Sequence, residues 1–268
     1  MSNQVTPAVR TPSQVPGQPA GPGVTVREML GDADGCRGLH QRRLSLAGGS
    51  VLAGTAGGRG EAWYVISGSG SLVGTAALEA GTAVWMREGV RYECRAGAAG
   101  LEAVAVAVQA GSEGEDGRPQ VRVVTLDACA PQRTGDREFR VLLSEGLAFT
   151  QFAGLIPPGR APEHHHSYDE VVHVLAGRGV VHLGAGAATE IGPGTSIYLP
   201  PYQPHCLENT GPDLLAVLGV FHPAGSPAAK HEAWAGGTLC SPSSWRWFRR
   251  PPTAARTIPR GWRHAAPA

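Results

Sequence analysis

Three histidines and one glutamate in the second half of the chain have the side chains and the spacing that a bound metal ion requires. His164 and His166 are two residues apart, so in an extended strand they point to the same face, whereas His165 points away. Glu170 follows after a short irregular step, and His205 can join them if its strand lies alongside. Three imidazoles and one carboxylate form a suitable donor set for a divalent transition metal.

The residues around these positions resemble the two sequence motifs of the cupin superfamily. The first motif is matched by Gly159, His164, His166, Glu170 and Gly177. The second motif is matched by Gly194, Pro200, His205 and Asn209. Gly159 lies one residue nearer to the histidines than in the family pattern, and Tyr202 stands where the second motif has a turn glycine. The backbone of Tyr202 must therefore avoid or tolerate a positive φ.

The resemblance implies a metal-dependent function. The metal ligands it implies are His164, His166, Glu170 and His205. The ion would be Fe(II), Mn(II), Ni(II), Co(II), Cu(II) or Zn(II), because the donors are nitrogen and oxygen without thiolate. Many cupins with this ligand set are oxygenases, so we expect a non-haem dioxygenase of small aromatic or enol-type substrates, with Glu170 as catalytic base. The alternatives are a non-oxidative metallocupin (an isomerase, lyase or cyclase) and a small-molecule sensor without turnover.

The residue pattern predicts an all-β protein made of two tandem cupin-type double-stranded β-helix barrels, also called jelly rolls. Glycine (38 residues) and proline (22 residues) are abundant, and they separate short segments rich in valine, leucine and aromatic residues. Short strands at this spacing close into double-sheet jelly rolls, the architecture that cupins use.

The first half of the chain repeats the second half without its histidines. Glu61 matches Glu170 in its distance to the next motif glycine, but Thr55 and Gly57 fall at the positions of the first two histidines and Tyr92 at that of the last. One carboxylate and one phenol do not hold a divalent transition metal against water. We therefore expect this half to pack without metal. The alternative is that Glu61 and Tyr92 line a small-molecule pocket.

These observations divide the chain into five parts. We expect a disordered tail at 1–23, a degenerate cupin domain without metal at 24–110, a linker at 111–120, a metal-binding cupin domain at 121–228 and a disordered basic tail at 229–268. The two tails are predicted from composition, since neither has enough patterned apolar residues to bury a core.

Composition restricts the partners and the compartment. The net charge of +1 gives no field that would attract nucleic acid or a membrane surface, so we expect a small-molecule substrate instead. Five widely spaced cysteines without a Cys-x-x-Cys pair favour a reducing compartment. No signal-peptide pattern is visible near Met1, so we expect a cytoplasmic protein. The resemblance to cupins implies a possible homodimer.

Overall fold

The computed structural model describes residues 6–57, 60–108, 120–184 and 187–228, and regular structure in these ranges is almost entirely β-strand. The elements of the first half are β1 (Ala8–Arg10), β2 (Gln18–Gly21), β3 (Val24–Leu30), a 3-10 turn (Asp32–Asp34), β4 (Leu39–Leu46), β5 (Val51–Thr55), β6 (Gly60–Leu72), β7 (Ala76–Glu79), β8 (Thr82–Met86), β9 (Arg91–Val108) and β10 (Val121–Thr125). Those of the second half are a 3-10 turn (Leu126–Ala128), β11 (Gln132–Thr134), β12 (Arg137–Leu143), β13 (Thr150–Ile156), β14 (Gly159–Arg160), β15 (Asp169–Ala176), β16 (Gly179–Leu183), β17 (Ala187–Ile191), β18 (Ser196–Leu199), β19 (His205–Asn209) and β20 (Leu215–His222). No helix in the described ranges has both the length and the apolar character needed to span a bilayer.

The first barrel is built from one large sheet. Its strand order is β10-β8-β6-β9-β4-β3-β2, with β5 paired to β9 and β7 paired to β6. Alternate side chains fill the interior, among them Trp63 and Val65 on β6 and Leu44 on β4. Because side chains on a strand alternate with a period of two, Glu61 points to the same side as Trp63, into this barrel.

The second barrel consists of two sheets. One has the order β1-β18-β15-β20-β13-β12-β11, and the other has the order β14-β19-β16-β17. Its apolar interior includes Val172 and Val174 on β15, Ile156 on β13 and Val217 on β20. Glu170 has the parity of Val172, so β15 directs this carboxylate into the same interior.

A shared apolar cluster joins the two barrels. It contains side chains from both halves, and the rings of Trp85 and Phe149 meet in it with centroids 4.8 Å apart. At its edge the hydroxyl of Tyr198 donates to Asp169 Oδ1 at 2.5 Å, from one strand of the second barrel to another. The barrels therefore share a buried interface in addition to the chain that connects them.

The two halves also exchange strands at their edges. Strand β1 pairs with β18 of the second barrel, which places Ala8 opposite Tyr198. Strand β10 pairs with β8 of the first barrel, which places Val121 opposite Met86. Each exchanged strand supplies backbone partners to an edge strand that would otherwise present free N–H and C=O groups.

The exchange corrects two of the boundaries expected from the sequence. The segment 1–23 is not a disordered tail over its described part, because it forms β1 and β2. Composition misses strands this short, whose stability comes from the edge they complete. The sequence places 121–125 in the second domain, but this segment belongs to the first sheet, because it pairs with the edge strand β8. The expected linker, apart from Gln120, and the expected tail at 229–268 lie outside the described residues.

Candidate metal centre

An isolated antiparallel bridge brings His164 and His205 together. The backbone N–H of His164 donates to the carbonyl oxygen of His205 at 3.0 Å, and the N–H of His205 donates to that of His164 at 2.8 Å. Residues directly opposite in such a bridge project their side chains to the same face. The two imidazole ring centroids are consequently 4.5 Å apart.

His166 completes a cluster of three histidines. Its ring centroid lies 4.9 Å from that of His164 and 4.9 Å from that of His205. One nitrogen from each ring lies within 4.8 Å of the other two, a spacing in which the three could hold a metal ion. The carbonyl oxygen of His166 accepts a hydrogen bond at 2.5 Å from the backbone N–H of Tyr202, which has a positive φ of 64°. The turn after β18 thus positions His166 through a left-handed residue.

Glu170 reaches the cluster through His166. The distance from Glu170 Oε2 to His166 Nε2 is 3.1 Å, and both side chains are buried. The other carboxylate oxygen, Oε1, lies 3.2 Å from the point where a Cβ on Gly219 would be. The missing side chain at Gly219 therefore leaves the space that the carboxylate occupies. All four residues expected from the sequence meet inside the second barrel.

Backbone carbonyls orient two of the imidazoles. Nδ1 of His164 lies 3.1 Å from the carbonyl oxygen of Pro162, and Nδ1 of His205 lies 2.8 Å from that of Gln203. A carbonyl oxygen only accepts, so each Nδ1 carries the proton and donates it. Each Nε2 is left with a lone pair, the form in which histidine binds a metal.

Burial keeps the three imidazoles neutral at physiological pH. Loss of solvation lowers the pKa of His166 to about 4 and that of His205 to about 3. Burial also lowers the pKa of His164, and the neighbouring His166 acts in the same direction. Neutral imidazoles do not compete with protons for their lone pairs, so the cluster is ready to bind a cation near neutral pH.

The cluster forms part of the wall of a narrow cavity of about 110 Å³. Its apolar lining comes from β13, β15, β18, β19 and β20, with side chains that include Phe152 and Phe221. Tyr168 stacks between His166 and Phe221, with ring centroids 4.6 Å and 4.4 Å away. Burial raises the pKa of the Tyr168 phenol, so it stays protonated at neutral pH. The cavity has room for a molecule of only a few non-hydrogen atoms.

The polar part of the lining comes from a hairpin that the sequence did not single out. Strands β11 and β12 contribute Thr134, Arg137 and Glu138 to the cavity. The turn between them at Gly135, with a φ of 61°, is visible in the sequence as Thr-Gly-Asp. The fact that this hairpin faces the histidines depends on the pairing of β12 with β13, which residue spacing does not reveal.

Four aromatic residues of the second barrel and its turns differ in what they contact. Phe152 does line the cavity. Phe149 packs on Trp85 between the barrels, and Tyr198 bonds to Asp169 in the same interface. Tyr202 is exposed to solvent on the turn after β18.

The corresponding place in the first barrel is filled by protein side chains. Glu61 Oε1 lies 2.8 Å from Arg42 Nη2, and Glu61 Oε2 accepts a hydrogen bond from Trp63 Nε1 at 2.8 Å. Both oxygens of this buried carboxylate are therefore engaged within the protein. The ring of Tyr92 packs edge-on against Trp63, with centroids 5.1 Å apart.

Strand pairing moves the alignment of the two halves by one residue at the histidine positions. Gly54 lies opposite Tyr92, as His164 lies opposite His205, so Gly54 rather than Thr55 corresponds to His164. A Cβ at Gly54 would stand 2.7 Å from the hydroxyl oxygen of Tyr92. The phenol therefore occupies the space that a side chain at this position would need.

Comparison with known proteins agrees with this class of fold, which is two fused β-barrels with a histidine cluster in the second. Residues 153–221 match the family described as the cupin domain. No curated protein sequence matches the chain. The family match therefore covers the second barrel, and the first barrel has no histidine at the positions that correspond to His164, His166 and His205.

Solved structures with the same architecture include two bacterial oxalate decarboxylases. One is the Bacillus subtilis enzyme, described with Mn(II) centres, at 14% identity and a TM-score of 0.67, with 81% of this chain and 78% of that chain covered. The other is the Lactobacillus farciminis enzyme in a formate complex, at 14% identity and a TM-score of 0.67, with 81% and 87% covered. At identities this low, the structural similarity shows a shared fold alone.

Proposed function

We propose that this protein is a metal-dependent, non-oxidative cupin that acts as a lyase on a small substrate. The observation that carries the proposal is the convergence of His164, His166 and His205 on one wall of a narrow cavity, with Glu170 in contact with His166. The same cavity has apolar side chains from β13 and β20, and polar ones from the β11–β12 hairpin.

A divalent transition metal fits this donor set. The ligands would be His164, His166, His205 and Glu170, with nitrogen and oxygen donors that suit the ions from Mn(II) to Zn(II). The bound ion would supply Lewis-acid polarisation of a substrate oxygen. Mn(II) is the first ion to test, because the similar B. subtilis enzyme is described with Mn(II) centres.

The remaining groups of the site have separable roles. When not bound to the ion, Glu170 would accept the proton of the substrate acid and return it to the carbon that loses CO2, because it is a buried carboxylate that faces the cavity. Phe152 and Phe221 exclude bulk water from the reacting groups, which strengthens electrostatic interactions in the cavity. Tyr168 holds the ring of His166 by stacking on it.

A lyase is preferred here over the dioxygenase that the sequence suggests first. Solved structures with this architecture include oxalate decarboxylases, and their names favour the non-oxidative alternative. The size of the cavity supports the same choice, since about 110 Å³ suits a short-chain acid better than an aromatic ring with substituents.

The proposal is tested by metal content followed by gas exchange. Protein purified without chelator should contain one divalent transition metal per chain, and His164→Ala and His205→Ala should contain less than a tenth of that, because each removes one of four ligands. His182→Ala is the matched control. Nε2 of His182 lies 2.7 Å from Glu208 Oε2, so this histidine has a partner outside the cluster. Circular dichroism should show that all three variants keep their β-structure.

The loaded protein should then release CO2 from short-chain carboxylic acids without stoichiometric consumption of O2. Full metal loading of His164→Ala would contradict the proposed site. Stoichiometric uptake of O2 with any substrate in the panel would instead support the dioxygenase and overturn the lyase.

A further inference from the structure

Arg137 places a cationic group in the cavity that contains the histidine cluster. It begins β12, directly after the tight turn of the β11–β12 hairpin, where it lies opposite Thr134. Its side chain lines the cavity together with His164 and Glu170.

Arg137 differs from the other arginines of its hairpin in having no ion-pair partner within the described residues. Glu138 Oε2 lies 3.7 Å from Arg133 Nη2, and Glu138 Oε1 lies 3.8 Å from Arg140 Nη2. Arg140 also donates to the carbonyl oxygen of Cys129 at 2.9 Å. No carboxylate of the described chain approaches the guanidinium of Arg137 within 4.0 Å.

The surroundings make an unpaired charge costly at this position. Arg137 is partly buried, and burial lowers the pKa of its guanidinium, although the neighbouring Asp136 acts in the opposite direction. A guanidinium remains charged at neutral pH, so partial desolvation without a partner costs free energy. A bound anion would offset this free-energy cost.

We propose that Arg137 binds a carboxylate group of the substrate, which assigns small carboxylate anions as the substrate class of this site. The inference rests on the proposed function, since it takes the cavity as the reaction site. A guanidinium presents two parallel N–H groups that match the two oxygens of a carboxylate. The apolar remainder of the cavity would accept the short carbon chain between that carboxylate and the histidine cluster.

The charge balance of the site points the same way. Three neutral imidazoles and one carboxylate around a divalent cation leave a net positive charge, and Arg137 adds a second one on the same cavity. Glu138 does not cancel it, because its two oxygens face Arg133 and Arg140. An anion is therefore favoured over a neutral molecule of the same shape.

The test compares oxalate with oxamide, its uncharged analogue of equal heavy-atom number. Both are titrated calorimetrically into wild type, Arg137→Gln and Arg178→Gln, each loaded with redox-inert Zn(II) and, in a second series, treated with chelator. Arg137→Gln should weaken oxalate binding about tenfold to a hundredfold, the loss expected for a charge-assisted hydrogen-bonded pair. Oxamide binding should change less than threefold, and Arg137→Lys should recover part of the affinity for oxalate.

Arg178→Gln is the matched control, because it removes an exposed arginine of the second barrel that does not line the cavity and should leave oxalate binding unchanged. Equal oxalate affinity of wild type and Arg137→Gln would overturn the inference whatever the metal content. An equal loss for oxamide would also overturn it, because the substitution would then have altered the cavity instead of removing a charge. Failure of the proposed function has a different signature, namely no metal in the purified wild type, and the chelator-treated series still tests Arg137 in that case.

Discussion

Each barrel buries a glutamate at the equivalent position, but the two carboxylates have different surroundings. In the first barrel both oxygens of Glu61 are engaged, one by Arg42 at 2.8 Å and the other by Trp63 at 2.8 Å. In the second barrel the carboxylate of Glu170 faces a cavity and meets an imidazole nitrogen at 3.1 Å. A buried carboxylate needs a cationic partner. The first barrel provides that partner from its own chain, whereas in the second barrel the proposed metal ion would take this role.

Strand register shows which residue makes this difference. Glu61 lies opposite Ala107 on β9, and Glu170 lies opposite Phe221 on β20. Two residues before Ala107 on β9, Ala105 lies opposite Arg42 of β4. The corresponding pair in the second barrel is Gly219 and Phe152. Arginine at one position and phenylalanine at the equivalent one therefore separate an internal ion pair from an open cavity.

The tyrosine of the first barrel extends the same contrast. Tyr92 is the second residue of β9 and His205 is the first of β19, and Tyr92 offers a phenol in place of an imidazole. Burial and the negative charge of Glu61 raise the pKa of Tyr92 to about 12, so no phenolate is available as a ligand near neutral pH. Arg42 and Tyr92, together with the absence of histidines at the positions of His164 and His166, give the first barrel a packed core in place of a histidine cluster.

The largest effect should come from removing the internal cation of the first barrel. Arg42→Met should lower the free energy of unfolding by about 3 kcal/mol, because it leaves the buried carboxylate of Glu61 without its charge partner. Guanidinium denaturation monitored by tryptophan fluorescence measures the change. Arg43→Met is the control: it breaks a half-exposed pair with Glu102 and should cost less than about 1 kcal/mol.

The double variant Arg42→Met with Glu61→Leu sharpens the same comparison. Removing both charges should recover most of the lost stability, because an apolar pair replaces an ion pair of similar volume. If the double variant were as unstable as Arg42→Met alone, the loss would come from packing, and the ion pair would not explain the difference between the barrels.

The next effect concerns the glycine that gives Glu170 its space. A Cβ at Gly219 would lie 2.3 Å from a ring carbon of Phe152 and 3.2 Å from Glu170 Oε1. Gly219→Ala should therefore lower the free energy of unfolding by about 1–3 kcal/mol, the usual cost of overpacking a core. It should also weaken metal binding about tenfold, since the carboxylate must move. Unfolding curves and metal titration measure both effects.

Gly192→Ala is the control for that substitution, because a Cβ there has no atom within 4 Å. If Gly219→Ala left both stability and metal affinity unchanged, the space at Gly219 would not be needed by Glu170. The alanine at the equivalent position of the first barrel, Ala105, would then not explain the difference between the barrels.

Residue spacing predicts much of the second barrel and little of what surrounds it. His164, His166 and Glu170 lie close together in the chain, so strand parity alone places them on one face, and a single bridge adds His205. Arg137 and the strand β1 escape such reasoning, because their positions depend on pairing between segments far apart in sequence. Composition also misreads β1, since three residues completing an edge need no hydrophobic pattern of their own.

A third difference between the barrels predicts a pH effect. Tyr64 and His173 each follow the buried glutamate by three residues, and both are buried in the interface between barrels. Burial, assisted by the charge of Arg43, lowers the pKa of His173 to about 3, while Nδ1 lies 3.1 Å from Ser196 Oγ. Burial raises the pKa of Tyr64, so that phenol does not titrate in the acid range.

The sign follows from proton uptake by the two states. As pH falls below about 6.5 the unfolded chain protonates this histidine and the folded one does not, so stability is present above that pH and is lost towards pH 3. His173→Gln should reduce the slope of unfolding free energy against pH between 4 and 6 by about 1.4 kcal/mol per pH unit. Tyr64→Phe should leave that slope unchanged. An unaltered slope in His173→Gln would mean that the histidine is already protonated when folded.

The smallest effect comes from the turn that carries the motif glycine in one barrel and tyrosine in the other. Gly89 and Tyr202 are equivalent by their distance from Tyr92 and His205, and both have left-handed backbones, with φ of 80° and 64°. A side chain in that conformation raises the free energy of the folded state by about 1–2 kcal/mol. Glycine removes this strain, but it also gives the unfolded chain more conformational freedom, which offsets part of the gain in stability. Tyr202→Gly should therefore stabilise the protein by about 0.5–1 kcal/mol, and Gly89→Ala should destabilise it by a similar amount.

Thermal unfolding measures the pair of substitutions, which should shift the Tm in opposite directions by about 1–4 °C. Opposite shifts would mean that the second barrel accepts strain at Tyr202, whose backbone N–H holds the carbonyl oxygen of His166. Glycine can make the same hydrogen bond, so the metal content of Tyr202→Gly should equal that of the wild type. If Tyr202→Gly were instead less stable, the contact of the tyrosine ring with His165, at a centroid distance of 6.2 Å, would outweigh the strain, and the tyrosine would be a stabilising replacement for the turn glycine.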